Sequence, residues 1–73
     1  MSKADDMFGK LGYEKKETMI GEIYKNKRKC VDMYFIRPDE LIEVGFYGDE
    51  RQYLSMQELK AINKKIEELG WEE

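Results

Sequence analysis

The sequence contains no histidine, one cysteine and one proline, and these absences exclude several kinds of site. Without histidine, the chain lacks the commonest general base, the commonest metal ligand and the usual pH switch. The single thiol, Cys30, forms neither an intramolecular disulfide nor a cysteine-based zinc cluster. A disulfide-stapled secreted domain is therefore excluded, and an unpaired thiol is typical of a reducing cytoplasm.

Long hydrophobic runs are also absent. No stretch approaches the ~20 consecutive apolar residues that a membrane-spanning helix needs. Asp5 and Asp6 stand near the start of the chain, where a signal peptide has a positive region followed by an apolar run. We therefore expect a cytoplasmic protein that makes no membrane contact.

The chain has 73 residues, of which 41% are hydrophobic and 40% are charged. This length allows a single domain, over residues 1–73. A core of this size supplies only about 3–5 kcal/mol of net stability, so a homodimer would be a useful addition. The net charge of −3 makes nucleic acid an unlikely partner, because nucleic-acid-binding domains usually carry a basic excess.

Two segments have helical periodicity. Residues 3–11 place apolar side chains at helical spacing, with Ser2 as the N-cap and Gly12 at the left-handed C-terminal position. Ser55 and Glu58 form a capping box that begins a longer helix. The predicted apolar stripe of this second helix comprises Met56, Leu59, Ile62, Ile66 and Leu69.

The second helix is predicted to end at Gly70, with Trp71 at the position of the hydrophobic contact in a Schellman motif. Its apolar stripe must pack on one face of the sheet. Lys65 lies away from the stripe and is expected on the solvated side of the helix.

The segment between the helices is rich in strand-forming residues. The connections are short, which favours an antiparallel meander, and the predicted turns include Arg37–Glu40 as a type I turn. The sequence therefore predicts an α+β domain of order α-β-β-β-β-α, with a four-stranded antiparallel sheet. The predicted strands are residues 18–25, 30–37, 41–47 and 52–54.

Gly21 and Gly45 fall inside predicted strands. A glycine there marks a β-bulge or a close approach by another backbone or a ligand. We favour the bulge.

The acidic residues form no recognisable catalytic or metal-binding pattern. Asp39 and Glu40 fall in a predicted turn, as do Asp49 and Glu50, and solvated turn residues are the simpler interpretation. The spacing of a calcium-binding loop is absent. Cys30 has no histidine to serve as its base. We expect no enzymatic activity, no metal and no cofactor.

Tyrosines and one basic turn are the best candidates for partner contacts. Tyr24, Tyr34 and Tyr47 are predicted on strands, on a sheet face opposite Phe35 and Phe46. An open face rich in tyrosine is common at protein interfaces. Alternatively, the N-terminal helix or a second copy of the chain covers this face. The sequence does not distinguish between these possibilities.

Residues 25–29 form a basic predicted turn. On a hairpin tip this turn could contact phosphate groups, a solvated turn being the simpler interpretation. From the two features we predict a partner-binding surface comprising Tyr24, Lys27, Arg28, Tyr34 and Tyr47.

Both ends of the chain resemble a group of small proteins encoded by phages and prophages of Gram-positive bacteria. The N-terminal match is residues 4–8 (ADDMF) and 11–13 (LGY). The more specific C-terminal match is residues 53–65 (YLSMQELKAINKK) and 68–71 (ELGW). The resemblance implies a phage origin and supplies no catalytic residues.

Small acidic phage proteins without enzymatic activity often act by stoichiometric binding. We therefore expect a binding protein that inhibits or redirects a bacterial host protein, such as a component of anti-phage defence. One alternative is an oligomer that sequesters a signalling nucleotide between basic and tyrosine side chains. Another is an accessory protein that binds nucleic acid through residues 25–29.

Overall fold

A computed structural model describes residues 2–48 and 53–72 and confirms the expected order of helices and strands. The strands form one antiparallel sheet in the order β1-β2-β3-β4, which is the predicted meander. No helix in the described ranges is long and apolar enough to cross a membrane. The elements are α1 (Lys3–Lys10), β1 (Glu14–Glu17), β2 (Gly21–Asn26), β3 (Val31–Ile36), β4 (Leu41–Phe46) and α2 (Met56–Leu69).

The first strand is one that the sequence pattern does not predict. β1 consists entirely of charged, exposed residues and pairs with β2 along its whole length. The predicted strand over residues 18–25 begins too early, because Thr18 makes a turn there. Its hydroxyl accepts hydrogen bonds from the N–H groups of Ile20 (3.3 Å) and Gly21 (3.1 Å).

The predicted strand at residues 52–54 is wrong. Tyr53 and Leu54 lie outside any helix or strand, and Gln52 lies outside the described residues. The sheet therefore has four strands because β1 is present, and β4 is its last strand.

The predicted helix ends are confirmed. The Ser55 side chain accepts from the Glu58 N–H at 3.1 Å, and the Ser55 N–H donates to Glu58 Oε1 at 2.8 Å. Gly12 and Gly70 both adopt positive φ angles, of 96° and 73°. The Trp71 N–H reaches back to the Ile66 carbonyl at 3.1 Å, as expected for a Schellman motif.

Both helices pack on the same face of the sheet. From α1, the Phe8 ring stacks on Tyr24 with centroids 4.2 Å apart. Beyond α2, Trp71 packs against Phe35 with centroids 6.4 Å apart. The result is a two-layer domain whose core lies between the helix pair and this face. The buried core residues are Phe8, Tyr13, Tyr24, Val31, Met33, Phe35, Ala61 and Ile62.

The predicted apolar stripe of α2 is confirmed at Ile62, Ile66 and Leu69, which are buried or pack against the core, but it is wrong toward the start of the helix. Leu59, expected in the apolar stripe, is 42% exposed, whereas Glu58 and Lys65 are buried. The two buried polar residues have partners in the core. Glu58 accepts a hydrogen bond from the Tyr13 hydroxyl at 2.5 Å, and Lys65 forms an ion pair with Glu22 on β2.

Gly21 is required by a close approach of backbone and not by a bulge. The pairing of β2 with β3 is continuous at Gly21, which stands opposite Ile36. A Cβ atom at position 21 would overlap the Phe35 carbonyl oxygen. A Cβ atom at position 45 would have no atom of the described residues within 4 Å, so no close contact there requires glycine.

Candidate binding surface on the open sheet face

The sheet face opposite the helices is not covered by any element of the described chain. We call it the open face. Because side chains alternate along each strand, the register assigns its members directly. They are Glu14, Lys16, Gly21, Ile23, Lys25, Asp32, Tyr34, Ile36, Leu41, Glu43, Gly45 and, just after β4, Tyr47.

Apolar side chains run diagonally across the open face. Ile23 stands opposite Tyr34, and Ile36 stands opposite Leu41. Leu41 is 52% exposed, and the other three are partly exposed. A contiguous exposed apolar area of this kind is typical of an interaction site.

Asp32 lies beside the tyrosines of this face. Its Oδ2 atom accepts a long hydrogen bond, 3.4 Å, from the Tyr34 hydroxyl. Its Oδ1 atom is buried and has no hydrogen-bond partner in the part of the chain that the structure describes. Lys25 is the register neighbour of Asp32 and does not satisfy this oxygen. Among the described residues, the open face therefore contains a carboxylate oxygen that is removed from solvent and has no hydrogen-bond partner, with the Tyr47 side chain close to the same carboxylate.

The two tyrosines remain hydrogen-bond donors at neutral pH. Burial, and then the negative charge of Asp32, raise the pKa of Tyr34 above its ordinary value of 10.0. Burial and the same carboxylate also raise the pKa of Tyr47. Both phenols therefore stay protonated and can donate to Asp32, since deprotonation would place two negative charges side by side.

The predicted contact residues separate into two groups. Tyr34 and Tyr47 lie on the open face, as expected. Lys27 and Arg28 are exposed in the turn between β2 and β3. Tyr47 lies beside the end of this turn, because its N–H donates to the Cys30 carbonyl at 3.1 Å.

Tyr24 is the exception, and its predicted place on this surface is wrong. Its side chain is 1% exposed and lies in the core, because Tyr24 pairs with Met33 and so points toward the helices. Its hydroxyl donates to Asp5 of α1 at 2.5 Å. A tyrosine with this role fastens α1 to the sheet and is not accessible to a partner.

Asp32 is the residue that sequence reasoning did not select. The alternation along β3 already assigns Asp32 and Tyr34 to one face. What the alternation does not reveal is that one carboxylate oxygen is buried without a partner in the described part of the chain, because that depends on neighbouring strands.

The arrangement of Asp32, Tyr34 and Tyr47 is suited to binding a cation of a partner. Among residues 2–48 and 53–72, no group of three or more Cys, Asp or Glu side chains is placed to hold a metal ion. A carboxylate flanked by phenol rings is a receptor for a cationic side chain, which gains both charge pairing and contact with the rings.

A comparison of the chain with known protein families, curated proteins and solved structures finds no match. The geometry of the open face therefore carries the functional argument, together with the motifs at the two ends of the sequence.

Proposed function

We propose that this protein is a small, non-catalytic, phage-encoded binding protein that acts in the bacterial cytoplasm. It inhibits or redirects a host protein, such as a component of anti-phage defence, and it holds that target on the open face. The phage origin and the host target follow from the sequence resemblance. The mode of binding follows from the chemistry of Asp32, Tyr34 and Tyr47.

The observation that carries the proposal is the Oδ1 atom of Asp32, which is buried and has no hydrogen-bond partner within residues 2–48 and 53–72. A buried polar atom without a partner is costly, and a charged one more so. A lysine or arginine side chain of the target would satisfy this atom, with Tyr34 and Tyr47 alongside it. Tyrosine is enriched at the centres of protein interfaces, where desolvated charge pairs also contribute most.

The same chemistry disfavours the nucleotide alternatives. The open face has mixed charge: Asp32 and Glu43 repel phosphate, and Lys25 stands next to Asp32 and is not part of a cluster of cations among the described residues of this face. The cations Lys27 and Arg28 lie in the turn at the end of the sheet. A few cations on one turn give weak, salt-sensitive binding to nucleic acid.

The test begins with affinity capture from a host lysate. The tagged protein is incubated with the lysate, and both the captured proteins and the small molecules released by heat are identified by mass spectrometry. We expect one host protein at near-equal stoichiometry. A released nucleotide with no protein partner would instead favour sequestration.

Variants then test the site. Asp32→Asn removes the charge and is expected to weaken the complex by about 2 kcal/mol or more, roughly thirtyfold in Kd. Tyr47→Ala is expected to weaken it as well. Asp6→Asn, on the exposed side of α1, is the matched control and should leave the Kd unchanged. Equal affinities for the wild type and Asp32→Asn would refute the site.

A further inference from the structure

The two edges of the sheet differ sharply in character. β1 presents the charged sequence EKKE with every residue exposed, and charges of this kind discourage pairing with another strand. β4, with the sequence LIEVGF, carries a single charge, Glu43. None of its six residues is fully buried, and Ile42 on the helix side is still 37% exposed. The helix pair therefore leaves β4 incompletely covered.

The hydrogen-bonding pattern of β4 shows which backbone groups face outward. The Tyr47 N–H donates to the Cys30 carbonyl, and the register continues from this pair without a break. Since hydrogen-bonded pairs alternate along an antiparallel ladder, Ile42, Val44 and Phe46 direct their N–H and C=O groups away from β3. No strand of the described chain lies beyond β4.

We propose that two copies of the chain join through β4, antiparallel and edge to edge, about a two-fold axis at Val44. The four-stranded sheets of the two copies then form one continuous sheet. In this register Val44 exchanges hydrogen bonds with the partner's Val44, and Ile42 does so with the partner's Phe46. The outward N–H and C=O groups of all three residues are satisfied, as buried backbone groups require.

The side chains select a second copy as the occupant of this edge. Opposite residues share a face, so Ile42 packs on the partner's Phe46 at the incompletely covered helix side. On the open face Glu43 stands opposite the partner's Gly45, which leaves room for it. Two adjacent registers would keep the faces matched. One opposes Glu43 to the partner's Glu43, which is unfavourable. The other places Ile42 opposite the partner's Gly48, beyond the end of β4, so only the proposed register pairs all three outward-facing residues within the strand.

The symmetry has a consequence for the open face. A two-fold axis perpendicular to the sheet places both helix pairs on one side and both open faces on the other. The dimer would then present two adjacent copies of the Asp32, Tyr34 and Tyr47 site. The dimer itself rests on β4 alone and does not depend on the proposed function.

Sedimentation equilibrium over about 1–200 µM protein measures the association directly. We expect the wild type to dimerise in this range. Val44→Pro removes an N–H that points away from β3, and proline is tolerated at such edge positions. It should weaken dimerisation by about tenfold or more while the circular dichroism spectrum stays that of the folded domain.

Changing the charges at positions 43 and 45 tests the register of the dimer without introducing a proline. Among the described residues, position 45 has open space for a side chain, so Gly45→Glu and Gly45→Lys both fit sterically. Each new side chain faces Asp32 of its own chain, so unfolding free energies must be compared as well. Gly45→Glu places a carboxylate opposite Glu43 of the partner subunit and should weaken the dimer roughly fivefold. Gly45→Lys places an ammonium group there and should preserve or strengthen the dimer. Adding Glu43→Lys to Gly45→Glu should restore association, although the new carboxylate still faces Asp32 within its own chain.

Two results would overturn the inference. One is a wild type that remains monomeric across the whole concentration range. The other is a dimer whose dissociation constant is unaffected by Val44→Pro and by the sign of the charge at position 45, since that dimer would use another surface.

Discussion

At the scale of single residues, Asp5 joins α1 to the first two strands. It accepts hydrogen bonds from the Tyr24 hydroxyl at 2.5 Å and from the Lys15 ammonium at 2.9 Å. Burial alone would raise the pKa of this carboxyl group. The hydrogen bonds from Tyr24 and Lys15 outweigh burial and lower the pKa below its ordinary value of 3.8. The ionised form is thus stabilised by folding.

This lowered pKa predicts a loss of stability in acid. A carboxyl group whose pKa is lower in the folded state contributes its full stabilisation above the unfolded pKa of about 3.9. The contribution is lost as the pH falls through the lower folded value. Asp5→Asn should therefore be less stable than the wild type at pH 7 and should lose less on acidification. Urea denaturation as a function of pH measures both effects.

Asp6→Asn is the control for this prediction, because Asp6 is exposed on the same helix. It should keep the pH dependence of the wild type. If Asp5→Asn kept that pH dependence too, the assigned role of Asp5 would be wrong.

At the scale of secondary-structure elements, the pairing of β2 with β3 depends on a missing side chain. Gly21 lies so close to the Phe35 carbonyl that a Cβ atom cannot be placed without moving β3. Gly45 lies in a strand of the same sheet with no atom near its Cβ position. Both glycines therefore lie within strands, but only Gly21 is required by a close contact with the backbone of a neighbouring strand.

Alanine substitution should separate them. Gly21→Ala is expected to cost about 3 kcal/mol of unfolding free energy, because the overlapping atom is backbone and cannot rotate away. Gly45→Ala should be neutral or stabilising, by up to about 1 kcal/mol, since alanine loses less conformational freedom on folding. Thermal or chemical denaturation of both variants gives the comparison. Equal effects would contradict the close approach.

At the scale of the whole molecule, one buried ion pair connects the helix layer with the sheet. Lys65 of α2 pairs with Glu22 of β2 and lies 5.6 Å from the centroid of the Tyr24 ring. Glu22 also accepts from Arg37 at 3.0 Å. The geometry of Lys65 with Glu22 is that of an ion pair and not of an aligned hydrogen bond, since Glu22 Oε1 has no hydrogen-bond partner among the described residues.

Breaking the pair from one side should be costly. Lys65→Met is expected to lower the unfolding free energy by about 3 kcal/mol, because it leaves the buried Glu22 carboxylate with less compensation. Adding Glu22→Gln should recover part of this loss, as measured in a double-mutant cycle. Lys64→Met is the matched control. Lys64 pairs with Glu67 at the surface, so its loss should have little effect.

One result would contradict this role for the charge on Glu22. If the single and double variants at Lys65 and Glu22 were equally unstable, the charge on Glu22 would not be the cause, and packing of the Lys65 stem would be.

Sequence reasoning succeeded where the determining contacts are local. The capping box at Ser55 and Glu58 and the left-handed Gly70 involve residues a few positions apart, so their pattern is visible in the chain. The alternation in β3 likewise placed Asp32 and Tyr34 together. The same reasoning placed Tyr47 on their face.

Only the tertiary structure decided the rest. β1 has no apolar residue, so its strand conformation comes from backbone pairing with β2. Tyr24 is buried because the strand register turns it toward α1. Lys65 is buried because Glu22 lies opposite it across the layers. In each case the stabilising partner lies in another element, and no pattern within the segment itself can reveal it.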